Sequence, residues 1–407
     1  MKIFYGWRLV GAASVIQFLH GGLLMQAFGA YVAVLSQEFG WSKTSLSGGA
    51  AIQSLEGAVL GPALGWVMDR IGARLMVQAG ILVFGLGFIV LSQVDSIGGF
   101  YVAIVLLALG SSLSGYFPLT VTLVHWFRRK RARALSTMGL GLALGGVAVP
   151  LVAWSMQAYG WRSTAFMSGV LAIVVGWPLA RVLRRHPGEV GETEDGLPPE
   201  PAPALAPGAV AAPLQRDFSA IQALRTPAFW LLGVGHGFAL LVVTAVNVHA
   251  ISHMKEGLGY SVGEASAVIA LMTGCQVAGV LMGAAIGDRW DKRYVAAACM
   301  LGHMVGLLML TFAVHPVFLV GFAVFHGVAW GLRGPFMQAL RADYFGLQAI
   351  GVIMGLSAFL IAVGQVAGPM VAGGLSDLTG DYRLGFTILA LVSGSGSVLF
   401  ILARRPR

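Results

Sequence analysis

Twelve apolar stretches, each near or above the roughly 20 residues that a helix needs to cross a bilayer, limit what this chain can fold into. They run approximately over 8–35, 45–68, 75–94, 98–124, 134–158 and 163–183, then 227–253, 263–286, 294–313, 317–340, 350–374 and 385–403. A soluble core of 407 residues has no way to hide that much apolar surface without leaving sticky patches. Charged residues are only 11% of the chain, against about 25% in a typical soluble domain. The expected fold is an all-α membrane protein with twelve transmembrane helices. The first stretch is too long for a cleaved leader and is followed by a polar turn and a second span, so it reads as an uncleaved first helix.

The stretches fall into two sets of six that repeat one another. Gly65, Asp69, Arg70, Gly72 and Arg74 spell G-x-x-x-D-R-x-G-x-R between the second and third stretches. Asp288, Arg289, Asp291, Lys292 and Arg293 stand between the eighth and ninth, 219 residues after the first motif. The same spacing relates Gly40-Trp41-Ser42 to Gly259-Tyr260-Ser261, and nearly the same spacing relates Phe127 to Phe345, Pro150 to Pro369 and Arg162 to Arg383. His20-Gly21 corresponds to His236-Gly237, and Tyr116-Phe117-Pro118 to Arg333-Gly334-Pro335. Two pseudo-symmetric six-helix bundles follow, over residues 1–185 and 225–407, a plan common among secondary transporters. Between them, residues 186–216 hold seven of the sixteen prolines with Glu189, Glu192, Glu194, Asp195 and Glu200. The whole of 186–224 is expected to be a disordered cytoplasmic linker.

Lysine and arginine set the orientation. With the N-terminus in the cytoplasm, 21 of the 26 fall on the cytoplasmic side, and only Lys43, Arg162, Lys255 and Arg383 face the other way. Arg333 lies within a span. The positive-inside rule puts both termini and the linker in the cytoplasm of a cell (inner) membrane protein. The net charge of +9 is thus a topology signal and not a nucleic-acid footprint. Cys275 and Cys299 both lie in apolar runs and read as small buried residues, with no disulfide framework and no metal site.

The Gly65–Arg74 motif and the twelve-span layout resemble the major facilitator superfamily over the full length of the chain. Within it, Trp126-Phe127-Arg128-Arg129-Lys130-Arg131-Ala132-Arg133-Ala134-Leu135 resembles the entry to the fifth helix of the monocarboxylate and oxalate:formate-type branch. Gly139, Gly141, Gly145, Gly146 and Pro150, with Tyr159-Gly160-Trp161-Arg162, fit the same branch. The chain also departs from it. The branch implies a carboxylate-holding arginine in the eighth helix where this sequence has Val280, and some relatives carry a lysine in the eleventh helix. Here segment 350–374 has no charge and only Gln365.

A charge at the bilayer centre costs at least a few kcal/mol, so it faces a partner or a cavity. Sequence position picks out Arg333 and Glu56. The resemblance implies that the first, fourth, seventh and tenth helices line the central path, which places Arg333 to grip a substrate carboxylate with two hydrogen bonds. A structural ion pair with Glu56 is the alternative. Glu56 is the candidate proton carrier, because a carboxyl group in a low-dielectric setting takes up a proton near neutral pH. His249, four residues before His253, would share the proton or read the substrate, or else sit at the interface. Tyr116, Asn247, Gln276 and His20 are further path-lining candidates, with His236, Gln26 and Gln53 weaker ones; each would equally tie two helices together. The resemblance gives Asp69, Arg70, Gly72, Arg74, Asp288 and Arg289 a gating role, closing the cytoplasmic side by contacts that break as the bundles rock.

The sequence carries no P-loop, no H-E-x-x-H and no nucleophile elbow, so neither enzyme chemistry nor ATP drives the protein, and no cofactor is expected. The leading expectation is a monomer in the lipid bilayer that moves a small, monocarboxylate-like organic anion, coupled to protons. The alternatives are an exporter of amphipathic drugs or metabolites and, from another class, a membrane sensor or scaffold that has lost transport.

Overall fold

The computed structural model describes residues 4–41, 43–197, 217–260, 262–286 and 288–406. In the first half the helices are α1 Tyr5–His20, α2 Phe28–Phe39, α3 Lys43–Ile71, α4 Ala73–Leu91, α5 Ile97–Ser114, α6 Tyr116–Trp126, α7 Arg131–Tyr159 and α8 Trp161–Val182. After a short α9, Ala220–Leu224, come α10 Pro227–Ser252, α11 Val262–Ile286, α12 Lys292–Thr311, α13 Pro316–Phe345, α14 Ile350–Thr379 and α15 Arg383–Leu402. Among the described residues, eleven helical stretches are long and apolar enough to span a membrane. α3 completes the twelve: it has 29 residues and packs between α5 and α14, though Glu56 and its serines and glycines dilute its apolar character. The chain is a multi-pass, all-α membrane protein.

The packing repeats as the sequence does. α4 lies against α5 and α8 as α12 lies against α13 and α15. α1 lies against α7 and α8 as α10 lies against α14 and α15. Turn geometry repeats too: Gly40 and Gly259 (φ +68° and +79°), and Gly160 and Gly380 (φ +82° and +83°), hold left-handed backbone that only glycine adopts cheaply.

Two of the expected continuous spans are broken. The first span runs α1, a wide π-helical turn over Gly21–Met25, then α2. The fourth breaks at Gly115 (φ −90°, ψ −140°), which separates α5 from α6. Pro118 in the first turn of α6 has no N–H to lose there, so the break leaves few orphan donors. Its counterpart in the second half, Pro335, sits inside an unbroken α13.

The expectation of a disordered linker over 186–224 does not hold at its two described ends. Residues 187–190 and 194–196 form short helical turns. Glu192 accepts the Tyr5 amide at 2.9 Å. The Asp195 carboxylate accepts three successive amides, Arg128, Arg129 and Lys130, at 3.2, 2.7 and 3.1 Å. At the far end Asp217 accepts the amides of Leu347 at 2.7 Å and Gln348 at 3.4 Å, and Phe218 N–H donates to Phe345 carbonyl at 2.9 Å. Asp195 and Asp217 thus grip equivalent turns, one before α7 and the other before α14. Composition predicted disorder because prolines and charges bury no apolar surface. The ends are ordered instead by carboxylates satisfying backbone amides. Residues 198–216 lie outside the described residues.

The halves meet along α3–α14 and α7–α11. Small residues set the approach. A Cβ on Gly351 would stand 2.9 Å from the Gly65 carbonyl oxygen and 2.6 Å from Asp69 Oδ1, and one on Gly61 would stand 2.9 Å from the Gly355 carbonyl. Gly351→Ala should therefore force α3 and α14 apart at this end. Cysteine cross-linking between the two helices should fall severalfold in the variant; unchanged cross-linking would show that the helices yield without separating.

Candidate functional site

The repeated aspartates are not equivalent to positive-inside charge; they are crossed helix caps. α7 and α14 are the fifth helices of the two halves, and both begin at the face where the linker lies. Their first amides have no intrahelical acceptor. Asp288, from the loop after α11, accepts Ala132 N–H at 2.9 Å and Arg133 N–H at 3.1 Å at the start of α7. Asp69, at the end of α3, accepts Val352 N–H at 3.3 Å at the start of α14. Each half therefore caps a helix of the other, where the positive end of the helix dipole favours a carboxylate. Burial pushes the Asp288 carboxyl above its usual range, against the pull of the two amides and of Lys292.

Side chains reinforce the closure. Arg131, 2% exposed, pairs across the halves with Asp343, which also takes Lys292 at 3.0 Å. Arg185 donates to the Asp69 carbonyl at 2.6 Å. Gly72 (φ +79°) makes the sharp entry to α4. The arginines expected to act with these aspartates lie elsewhere: Arg70 stacks on Trp66 at 4.2 Å, Arg74 is exposed, and Arg289 lines an open pocket on this face.

Deeper in, Arg333 is 1% exposed on α13. Its Nε and Nη1 have no hydrogen-bond partner among the described residues. About 18 Å of helix separates it from the end of α13 at Phe345, by 1.5 Å per residue. Tyr116, the first residue of α6, lies within electrostatic reach of Arg333, and α6 packs against α13. A half-helix N-terminus beside an unpaired arginine is suited to an anion.

A second buried cation was missed in the sequence. Arg341, also 1% exposed, bonds His236 Nδ1 at 3.3 Å, Met337 carbonyl at 3.3 Å and Gln338 Oε1 at 3.4 Å. It too acts on Tyr116. In the sequence the apolar run ends at residue 340, which puts Arg341 at the membrane edge. α13 instead continues to Phe345, and the arginine is buried there against His236 of α10. The signal available was His236, a polar residue on the path-lining seventh span, at the level where a partner was needed.

The other candidates are scattered. His20 is fully engaged, with Nδ1 at 3.2 Å from Ser111 Oγ, Nε2 at 3.1 Å from Ser114 Oγ, and its ring stacked on Phe84. His249 ties α10 to α14 through the Pro369 carbonyl at 3.0 Å, near the end of α10 remote from Arg333. Asn247 is exposed. Gln276 lies on α11, whose backbone at that point fits against Gly327 and Gly331 of α13. The side chains of Glu56 and Gln53 lie outside the described residues. Unforeseen as well is a buried histidine pair, His303 and His326, with Nδ1 atoms 3.2 Å apart.

The Major Facilitator Superfamily model matches residues 13–251 and 232–407. Monocarboxylate transporter 11 of Mus musculus is 25% identical over 416 residues, covering 98% of this chain and 87% of the mouse protein. Monocarboxylate transporter 13 of Bos taurus is 24% identical over 406 residues, covering 97% and 89%. The E. coli fucose:proton symporter FucP, at 13% identity, shares the fold with a TM-score of 0.74 over 99% of this chain and 100% of its own.

The crossed caps yield a measurable expectation. Replacing Asp69 or Asp288 by Asn removes the charge at a helix N-terminus, a loss of roughly 0.5–2 kcal/mol each. The two sites lie on separate helices, so the double variant should lose about the sum. A cysteine at Ser136, buried beside Gly283 where α7 meets α11, should be alkylated several times faster in Asp288→Asn and faster again in the double variant. Alkylation at the parental rate would mean that the caps do not hold this face shut.

Proposed function

The chain belongs to the Major Facilitator Superfamily and is a secondary transporter, not an enzyme; we propose that its cargo is a small, monocarboxylate-like organic anion moved with protons by alternating access. The observation that carries this reading is Arg333: a guanidinium almost wholly enclosed, with two nitrogens unpartnered among the described residues, beside the N-terminus of a broken helix. An unpaired buried charge costs several kcal/mol, and a carboxylate gripped by the planar fork would supply the missing partner. Arg341, fixed by His236 and Gln338, strengthens the positive potential at the same place. The likeness to monocarboxylate transporters supports a carboxylate, although Val280 stands where that branch implies its own arginine.

In this reading the crossed caps close the linker face, which the excess of arginine and lysine assigns to the cytoplasm, and the anion enters from the opposite side. Breaking the caps lets the halves rock around the Arg333 level. Glu56, the one carboxyl group deep in the sequence of α3, is the proposed proton carrier.

Uptake of radiolabelled monocarboxylates into liposomes holding the purified protein tests the scheme. Arg333→Lys keeps the charge but loses the fork, and should weaken anion binding about tenfold. Arg333→Ala should weaken it about a hundredfold, the scale of a lost charge-assisted pair. Glu56→Gln should abolish uptake driven by a pH gradient while exchange of internal for external anion continues. Full anion binding in Arg333→Ala, in protein that still melts cooperatively, would reduce the arginine to scaffold. Parental pH-driven uptake in Glu56→Gln would remove it from coupling.

A further inference from the structure

On the linker face, beside the gate, a pocket of about 630 Å³ is lined by Arg128, Arg289, Lys292, Arg293 and Arg405 with Asp291 and Asp343. Its two carboxylates are already matched. Asp291 takes Arg293 at 2.7 Å, with a further contact to Nε at 3.2 Å. Asp343 takes Lys292 at 3.0 Å and Arg131 from the other half. What remains is three exposed arginines, Arg128, Arg289 and Arg405, whose side chains make no ion pair among the described residues. They come from three separate places: the turn before α7, the loop before α12, and the chain after α15. Positive-inside bias accounts for arginines on loops. It does not account for their convergence on one concavity whose acidic groups are already neutralised.

Trp290 and Tyr294 mark the depth of the pocket. Both are large aromatic side chains left outside, 64% and 59% exposed, and Arg293 stacks over the Tyr294 ring at 5.5 Å. Exposed tryptophan and tyrosine on a spanning bundle sit at headgroup level. A concave cluster of unpaired guanidiniums at that depth matches an anion with several oxygens, gripped by more than one planar fork.

We propose that this pocket binds the phosphate of an anionic phospholipid headgroup, and that the bound lipid holds the linker face closed. Arg128 belongs to the first half and Arg289 and Arg405 to the second, so one phosphate bridges them. Asp195 fixes the Arg128 backbone at 3.2 Å, so the arginine is presented from a held turn. Opening the face would pull the bridging groups apart, and the lipid would bind the open state more weakly. A ligand shifts an equilibrium by its difference in affinity for the two states.

The test uses the full-length protein purified in detergent. Phosphatidylglycerol, phosphatidylcholine and inorganic phosphate are added separately, and bound lipid is counted by native mass spectrometry alongside the melting temperature. Phosphatidylglycerol is expected to bind at least tenfold tighter than phosphatidylcholine and to raise the melting temperature by several degrees. The Arg128→Gln, Arg289→Gln, Arg405→Gln triple variant should lose both effects. These side chains are exposed, so the variant should fold; Arg→Lys at the same three positions should retain part of the shift. In the parental protein, phosphatidylglycerol should also slow alkylation of a cysteine at Ser136. Equal binding of phosphatidylglycerol and phosphatidylcholine, or parental binding by the triple Gln variant, overturns the site. Equal protection by inorganic phosphate overturns the lipid as its source, and unchanged alkylation overturns the clamp.

Discussion

A carboxylate from one half satisfying the first amides of a helix in the other half is the interaction on which this architecture turns. Helix N-termini carry donors that the helix itself does not satisfy. α7 and α14 solve the problem reciprocally, through Asp288 and Asp69. Donor and acceptor lie on opposite sides of the interface between halves, so the caps exist only while this face is shut. Two such contacts amount to roughly 1–4 kcal/mol, which is the scale on which ligands redistribute conformers. In the proposed cycle a stronger lock would trap the protein, and a weaker one would leave the face ajar.

The caps depend in turn on how closely the backbones approach. Gly61 and Gly65 on α3 face Gly355 and Gly351 on α14, with no room for a methyl group between them. Within a membrane the hydrophobic effect gives helices little reason to associate, so close contact between small residues supplies the attraction. Along α7–α11 the same part is played by Ser136 against Gly283. Glycine in these spans is a distance setting rather than a source of flexibility.

Much of this was legible in the sequence. Twelve apolar runs and a repeat of 219 residues define the spans and the halves, because burial and symmetry leave periodic traces. Asp69, Asp288 and Arg333 stood out as charges at fixed or improbable places, and the structure assigns the two aspartates to crossed caps and Arg333 to the interior. The partners of these residues did not stand out. Asp69 and Asp195 bond backbone amides, and an amide has no side-chain signature. Arg341 was hidden by its position, one residue past the end of an apolar run, since sequence cannot show where neighbouring helices still enclose a loop-proximal charge. The break between α5 and α6 was marked only by Gly115 and Pro118, which elsewhere sit in continuous helices, as Gly334 and Pro335 do in α13.

The docking of Asp195 has a consequence in time. The turn it grips opens the most cationic run in the protein, with five lysines and arginines between Arg128 and Arg133. A ribosome makes the chain from its N-terminus at about 5–20 residues per second, and Asp195 lies 65 residues beyond Lys130. For roughly 3–13 seconds the cationic run has therefore left the peptidyl-transfer centre while the carboxylate that caps its amides does not yet exist. During that interval the amides of Arg128, Arg129 and Lys130 are without the acceptor that later holds them. Once Asp195 arrives, the same residues become a capped turn. The segment is thus made long before the residue that turns it into mortar between linker and bundle.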